Sequence, residues 1–341
     1  MKYNWTRRNF IKTTGVAGGT IAAAPALSLN SIKMNTRAKI KIEATNSNFE
    51  REPLIRPFGF KGGYMSEIWQ TIAWLKSSNG IEKVGLCTQN VLWSDARVFG
   101  NFSESGGNSL MYGMTDYALK LIKGQSFTSP INLLDNILED VYTYGQKITD
   151  NPDLRKTFAL NALVGVDNAA WMLFAAENKI TSFDEMIPPE YRPALSHHHK
   201  TVASIPLMAY SIPISEIKQA ADEGYFFMKI KIGQPGTQEE MLEKDKTRLT
   251  EIHKAIGHYR TEHSKDGKLP YYFDANGRYE TKETLLKLLD HAKIIGAFDQ
   301  IAIIEEPFPE HADIDVTDIP VRLAADESAH TDKDALVRIQ M

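Results

Sequence analysis

From Thr201 to its end the chain alternates strand-like and helix-like segments with little between them. Short apolar runs at residues 202–209, 225–232, 270–274, 300–305 and 321–326 end in turn residues and predict strands. Residues 214–223, 238–259 and 282–295 have helical periodicity, a shorter helix is expected before Ile319, and residues 332–340 predict a last one. Repeated strand–helix units fold as a parallel sheet with right-handed crossovers. A closed barrel of eight units needs about 250 residues, and only about 140 follow Thr201. The expectation for residues 198–341 is therefore a partial TIM-like (β/α) barrel of about five strand–helix units.

Residues 38–195 follow another pattern. Residues 37–54 open with alternation (Lys39, Ile40, Lys41, Ile42) and predict a strand. Residues 59–66 form a glycine-rich loop that leads into a short amphipathic segment, 67–76, before a strand at 82–92. Gly106, Gly107 and Asn108 predict a loop, and helices are expected at 115–123, 131–143 and 153–177, the last behind Pro152. Strands followed by a run of helices indicate a separate α+β domain. His197, His198 and His199 fall in a polar connector and read as solvated linker rather than metal ligands.

Residues 1–30 carry a twin-arginine pattern, Thr6-Arg7-Arg8-Asn9-Phe10-Ile11-Lys12, then a glycine- and alanine-rich apolar run, with no acidic residue before Glu43. This predicts a twin-arginine export signal and a periplasmic destination. No later segment is expected to span a membrane. Cys87 is the single cysteine, which excludes an intrachain disulfide, and the formal charge of −4 gives no electrostatic case for nucleic acid.

The chemistry gathers at strand ends. In Gly224–Gly233, alternation puts Phe226, Met228, Ile230 and Ile232 on one face and Phe227, Lys229 and Lys231 on the other. Two ammonium groups roughly 6–7 Å apart, two strand rises, repel each other. Enclosing them is costly unless anions lie opposite; a solvated edge strand with a lysine stripe is the alternative. Acids close the next strands: Asp274 in Phe-Asp-Ala-Asn-Gly, Glu305 in Ile-Glu-Glu-Pro and Asp326 in Ala-Ala-Asp-Glu-Ser. Each alone could cap a helix. Three in series, facing a Lys-x-Lys strand at the reactive end of a parallel barrel, point to a shared cation. An oxygen-only donor set favours a hard ion, Mg²⁺ first and Mn²⁺ as the alternative.

This set resembles the enolase superfamily, and within it the mandelate racemase/muconate-lactonizing-enzyme group. The resemblance spans residues 38–341 and rests on Lys229-Ile230-Lys231, Asp274-Ala275-Asn276, Glu305-Glu306-Pro307 and Asp326-Glu327-Ser328. It implies a capping domain at 38–195 and a metal held by Asp274, Glu305 and Asp326. It also implies that Lys231 is the proton-transferring base and Lys229 its electrostatic neighbour. Asn276 and Glu306 are expected around these groups or facing substrate; Glu306 and Glu327 have the wrong parity for ligands. The segments 59–66 and 102–111 are expected near the substrate, with Lys61 or Arg56 as partners for a substrate carboxylate. By analogy the reaction removes a proton α to a carboxylate through an enediolate. Desolvation, Lys229 and the cation would each favour proton loss from Lys231.

The implied activity is that of a racemase or epimerase of a small carboxylate substrate, L-Ala-D/L-Glu epimerase-like on an acidic dipeptide, in a homo-oligomeric full-length parent. Cycloisomerase, dehydratase or lyase chemistry shares the first step, although Lys-x-Lys and Asp326 speak against sugar-acid dehydratases. A non-catalytic exported binding protein or an inactive fragment is the reading from another class. Epimerases of this group use a second lysine on a sixth strand, and the sequence stops at Met341 before one. The expectation is a truncated chain, with the activity assigned to its parent.

Overall fold

The computed structural model describes residues 37–61, 63–195 and 197–340, so the twin-arginine segment lies outside them. The chain divides into two compact units: the described part of Met1–Pro53 with Glu67–His198, and Leu54–Ser66 with His199–Met341.

Strands β1 (Ile40–Phe60), β2 (Gly63–Ser77), β3 (Glu82–Gln89) and β4 (Ser126–Phe127) form a sheet of order β3-β2-β1-β4, which belongs to the first unit except for the strand residues within Leu54–Ser66. Helices α1 (Val91–Ser94), α2 (Ala96–Ile122), α3 (Pro130–Ile148), α4 (Lys156–Glu177) and α5 (Phe183–Met186) accompany it. The amphipathic segment 67–76 is strand β2. Trp69, Thr71, Ala73 and Leu75 are buried in alternation, a period of two that only an extended chain can present to one core.

Three sequence expectations need correction here. Gly106, Gly107 and Asn108 lie inside α2, not in a loop, and residues 102–111 are helical. A Cβ on Gly107 would lie 2.4 Å from Val91 Cγ2, and the Val91 amide donates to Asn108 Oδ1 at 2.8 Å. The glycine lets two segments approach closely, a use that turn propensity misreads. The expected break is instead a kink at Ser103, where φ is 65°. Finally, α4 is long and apolar enough to cross a membrane by length and composition. Its residues Phe158, Ala162, Val166, Ala169, Ala170 and Leu173 are fully buried in the core of this unit, which accounts for its composition.

The second unit holds a parallel five-stranded sheet of order β5-β6-β7-β8-β9: Leu207–Met208, Met228–Lys231, Tyr271–Asp274, Ile301–Glu305 and Leu323–Ala324. Helices α6 (Ile214–Asp222), α7 (Gln238–Ile256), α8 (Lys282–Ile294) and α9 (Asp332–Gln340) alternate with them. The strands are shorter than the apolar runs suggest, and no helix precedes Ile319. Residues 201–205 are exposed, and Pro206 has no amide to give a ladder, which trims β5 to two residues. Met228, Ile230, Tyr271, Phe273 and Ile304 pack with Ile217, Leu249, Ile252, Leu285 and Leu288 of the helices in one core. The opposite face carries Lys229, Lys231, Tyr272, Asp274 and Glu305.

The burial of that core predicts a measurable asymmetry. Phe273 is fully buried and Ile294 is 82% exposed. Phe273→Ala should cost about 3–5 kcal/mol in urea unfolding followed by far-UV circular dichroism. Ile294→Ala should stay within about 0.5 kcal/mol of the wild type.

Candidate functional site

Register builds the site. Lys231 on β6 pairs with Asp274 on β7, Asp274 with Glu305 on β8, and Glu305 with Ala324 on β9, so two acids and an amine share one row. Asp326 follows two residues past that row. One residue pair earlier, Lys229 pairs with Tyr272, and Tyr272 with Ile303.

The side chains close this row into a charge network. The Lys231 ammonium, on a residue 5% exposed, donates to Asp274 Oδ2 and to Asn276 Oδ1, each at 2.6 Å. The ring of Phe60 lies 5.5 Å from it. The Lys229 ammonium is 2.8 Å from Asp274 Oδ2 and is also ion-paired with Glu305 Oε2. Burial works to lower its pKa, but hydrogen bonds and charge from Asp274 and Glu305 outweigh that and hold it above the ordinary lysine value. Tyr272 OH donates to Glu305 Oε2 at 2.6 Å. Burial, then the same carboxylate, pushes the Tyr272 phenol above its usual value, so it stays a donor at neutral pH. The Asn276 amide caps Asp274 Oδ1 at 3.1 Å.

Asp326 is the outlier. Its carboxyl is hydrogen-bonded with that of Glu305, and burial together with the charges of Glu327, Glu305 and Asp274 raises it to about 7. Asp326 is exposed as a residue, and the crowding of negative charge adds to the effect of burial on its carboxyl. Among the described residues, no three of Asp, Glu, His and Cys stand as a metal cage. The Lys229 ammonium bridges Asp274 and Glu305 instead. The donor set still fits a hard divalent cation: its ligands are all oxygen, and at Asp326 negative charge exceeds the positive charge supplied.

The other predicted residues divide. Glu306 faces away from Glu305 and accepts from the Asp326 amide at 2.6 Å, the Ser328 amide at 3.2 Å and Ser328 Oγ at 2.9 Å. It fixes the loop that carries Asp326. Lys61 lies 3.5 Å from Glu327 and 3.6 Å from Glu310, with its buried Nζ hydrogen-bonded to neither. Arg56 forms an exposed bidentate pair with Glu216 at 2.8 and 3.0 Å, which leaves no unpaired fork for substrate. His198 sits 3.4 Å from Asp184 in an exposed connector. Sequence reasoning missed Tyr272, Phe60 and the role of Glu327, whose Oε1 accepts from Asn276 Nδ2 at 2.9 Å. Tyr272 has the parity of Asp274, and that signal was there to be read.

Residues 214–340 match the family model described as enolase C-terminal domain-like. Among solved structures, the dipeptide epimerase of Enterococcus faecalis V583, complexed with Mg and L-Leu-L-Tyr, is similar at 15% identity. The match covers 88% of this chain and 72% of that one, with a TM-score of 0.59. The L-Ala-D/L-Glu epimerase of Bacillus subtilis in a substrate-liganded complex is 19% identical, with coverage of 88% and 72% and a TM-score of 0.59. The L-talarate/galactarate dehydratase of Salmonella typhimurium LT2, liganded with Mg and L-lyxarohydroxamate, is 18% identical, with coverage of 86% and 64% and a TM-score of 0.52. A search among curated proteins gave no match. At these identities the likeness is one of fold.

The crowding at Asp326 has a thermodynamic signature. A carboxyl raised in the folded state contributes stability below its unfolded value, near 3.9, that is lost as pH rises through its folded value. Without divalent cation, the wild type should lose thermal stability relative to Asp326→Asn between about pH 4 and about pH 7. Parallel melting curves for the two proteins would show instead that the crowding is absent in solution.

Proposed function

Given a chain with the fold of the mandelate racemase/muconate-lactonizing-like enolase superfamily and an enolase C-terminal-like domain at 214–340, we propose that it removes the α-proton of a carboxylate substrate. The observation that supports this most is the row Lys231, Asp274 and Glu305 on three neighbouring parallel strands, with Lys229 bridging the two acids. Asp274, Glu305 and Asp326 would hold Mg²⁺, which when bound supplies electrostatic stabilisation for the charge that builds on the substrate carboxylate.

The protein's own residues divide the remaining work. Lys231, as the free amine, would take the α-proton on its Nζ lone pair, and the ammonium so formed donates to Asp274 and Asn276. Lys229 stays charged, held by Asp274 and Glu305. Phe60 covers the Lys231 amine and keeps water from it. Asn276 orients that amine through Oδ1 while Glu327 holds its Nδ2.

Racemisation or epimerisation of an acidic dipeptide is the specific reaction we favour. Dipeptide epimerases of similar fold support it, as does Lys61, whose buried ammonium is within reach of Glu327 and Glu310 and could exchange those partners for a substrate carboxylate. Elimination from a hydroxy acid is the second reading, supported by the dehydratase of similar fold. On either reading the twin-arginine segment would send the enzyme to the periplasm.

The test is proton exchange. The full chain is incubated with Mg²⁺ and a panel of acidic dipeptides in D₂O, and deuterium at the α-carbon is followed by NMR. Lys231→Ala should slow exchange about 10²–10⁴-fold, and a chelator should abolish it. Exchange in Lys231→Ala equal to the wild type would remove Lys231 from this role. Loss of a β-hydroxyl from hydroxy acids, without dipeptide exchange, would select the second reading.

A further inference from the structure

We infer that Tyr272 is a positioning residue whose phenolic hydroxyl sets the orientation of the Glu305 carboxylate toward a divalent cation. The inference rests on the cation site proposed above. Tyr272 lies on β7 two residues before Asp274 and on the same face of the sheet. Its hydroxyl donates to Glu305 Oε2 at 2.6 Å, and the same oxygen is ion-paired with Lys229 from β6. One oxygen of Glu305 is thus gripped by donors from two other strands.

That grip matters because the terminal torsion of a glutamate is broad and roughly two-fold, so an unheld carboxylate rotates freely between orientations. Lys229 alone cannot supply the constraint. Its ammonium carries three rotatable donors, and it is shared with Asp274 Oδ2 at 2.8 Å. The phenol offers one donor in a direction fixed by its ring. The ring in turn is held independently of the hydroxyl. It stacks on Phe227 with centroids 5.8 Å apart and an interplanar angle of 28°, and the Lys229 ammonium lies 5.1 Å from its centroid. Removing the hydroxyl therefore leaves Glu305 Oε2 held by Lys229 and keeps the packing in place. Where ligating carboxylates depend on outer hydrogen bonds, losing one weakens metal affinity about 10–100-fold.

Tyr272→Phe is accordingly a single-atom test. The full-length wild type and variant are titrated with Mn²⁺, and the free ion is read by electron paramagnetic resonance, with no substrate and no turnover. The expected result is a Kd for Mn²⁺ raised about 10–100-fold in Tyr272→Phe, with its melting temperature close to that of the wild type. Tyr279→Phe is the control for a purely structural phenol. It deletes a buried hydrogen bond of 2.7 Å to Asp245 in the same unit, and should lower the melting temperature while leaving the Mn²⁺ affinity unchanged. Equal Mn²⁺ affinities for wild type and Tyr272→Phe would overturn the positioning role and leave the cation site standing. Absence of Mn²⁺ binding by the wild type would overturn the cation site itself, and this inference with it.

Discussion

Two lysine ammonium groups on one short strand face inward, and everything around them is arranged to hold them. Enclosing such charges is unfavourable unless anions with good geometry lie opposite. Asp274 and Glu305 stand there because β7 and β8 run parallel to β6 in a register that ends all three strands in one row. Removing Asp274 would leave the buried Lys231 without its anion, which is far costlier than losing a surface ion pair. The sheet and its electrostatics are therefore mutually dependent. The apolar face of β6 to β8 packs on the helices, and the opposite face is permissible only because its charges cancel.

The cancellation is incomplete at the β9 side. Burial and the charges of Glu327, Glu305 and Asp274 together raise the Asp326 carboxyl to about 7. Glu327 is relieved partly by Asn276 and partly by Lys61, borne on the segment Leu54–Ser66 of the same unit. A continuous chain of contacts thus runs from Lys61 through Glu327 and Asn276 to Lys231. Glu306, turned the other way, ties down the backbone at Asp326 and Ser328, the loop that bears the crowded acid. A site with surplus negative charge on rigid supports is suited to a divalent cation, which is the basis of the function proposed above.

Much of this was legible in the residues themselves. The two-residue period of Phe226 to Ile232 separated the lysines from the packing face, and the helices after β5, β6 and β7 were read within a few residues of their observed bounds. Failures came where a local signal had two physical meanings. Glu67 to Lys76 was legible only as amphipathic, and cross-strand pairing with residues 82–89 makes it a strand. Gly107 reads as a turn by propensity but serves close packing against Val91, which no single-sequence pattern reports. The apolar length of α4 is that of a core helix. Tyr272 and Glu327 went unread because a tyrosine in a strand is ordinarily packing and a glutamate in a loop ordinarily solvated; only the register places them beside Glu305 and Asn276.

The central claim is that Asp274, Glu305 and Asp326 share a divalent cation beside two amines. Anomalous diffraction from crystals grown with Mn²⁺ tests it most directly. The account predicts one strong peak within about 2.0–2.6 Å of carboxylate oxygens from all three residues, the range for hard cations. A peak elsewhere, or Lys229 still bridging Asp274 and Glu305 at saturating Mn²⁺ with no peak between them, would contradict it.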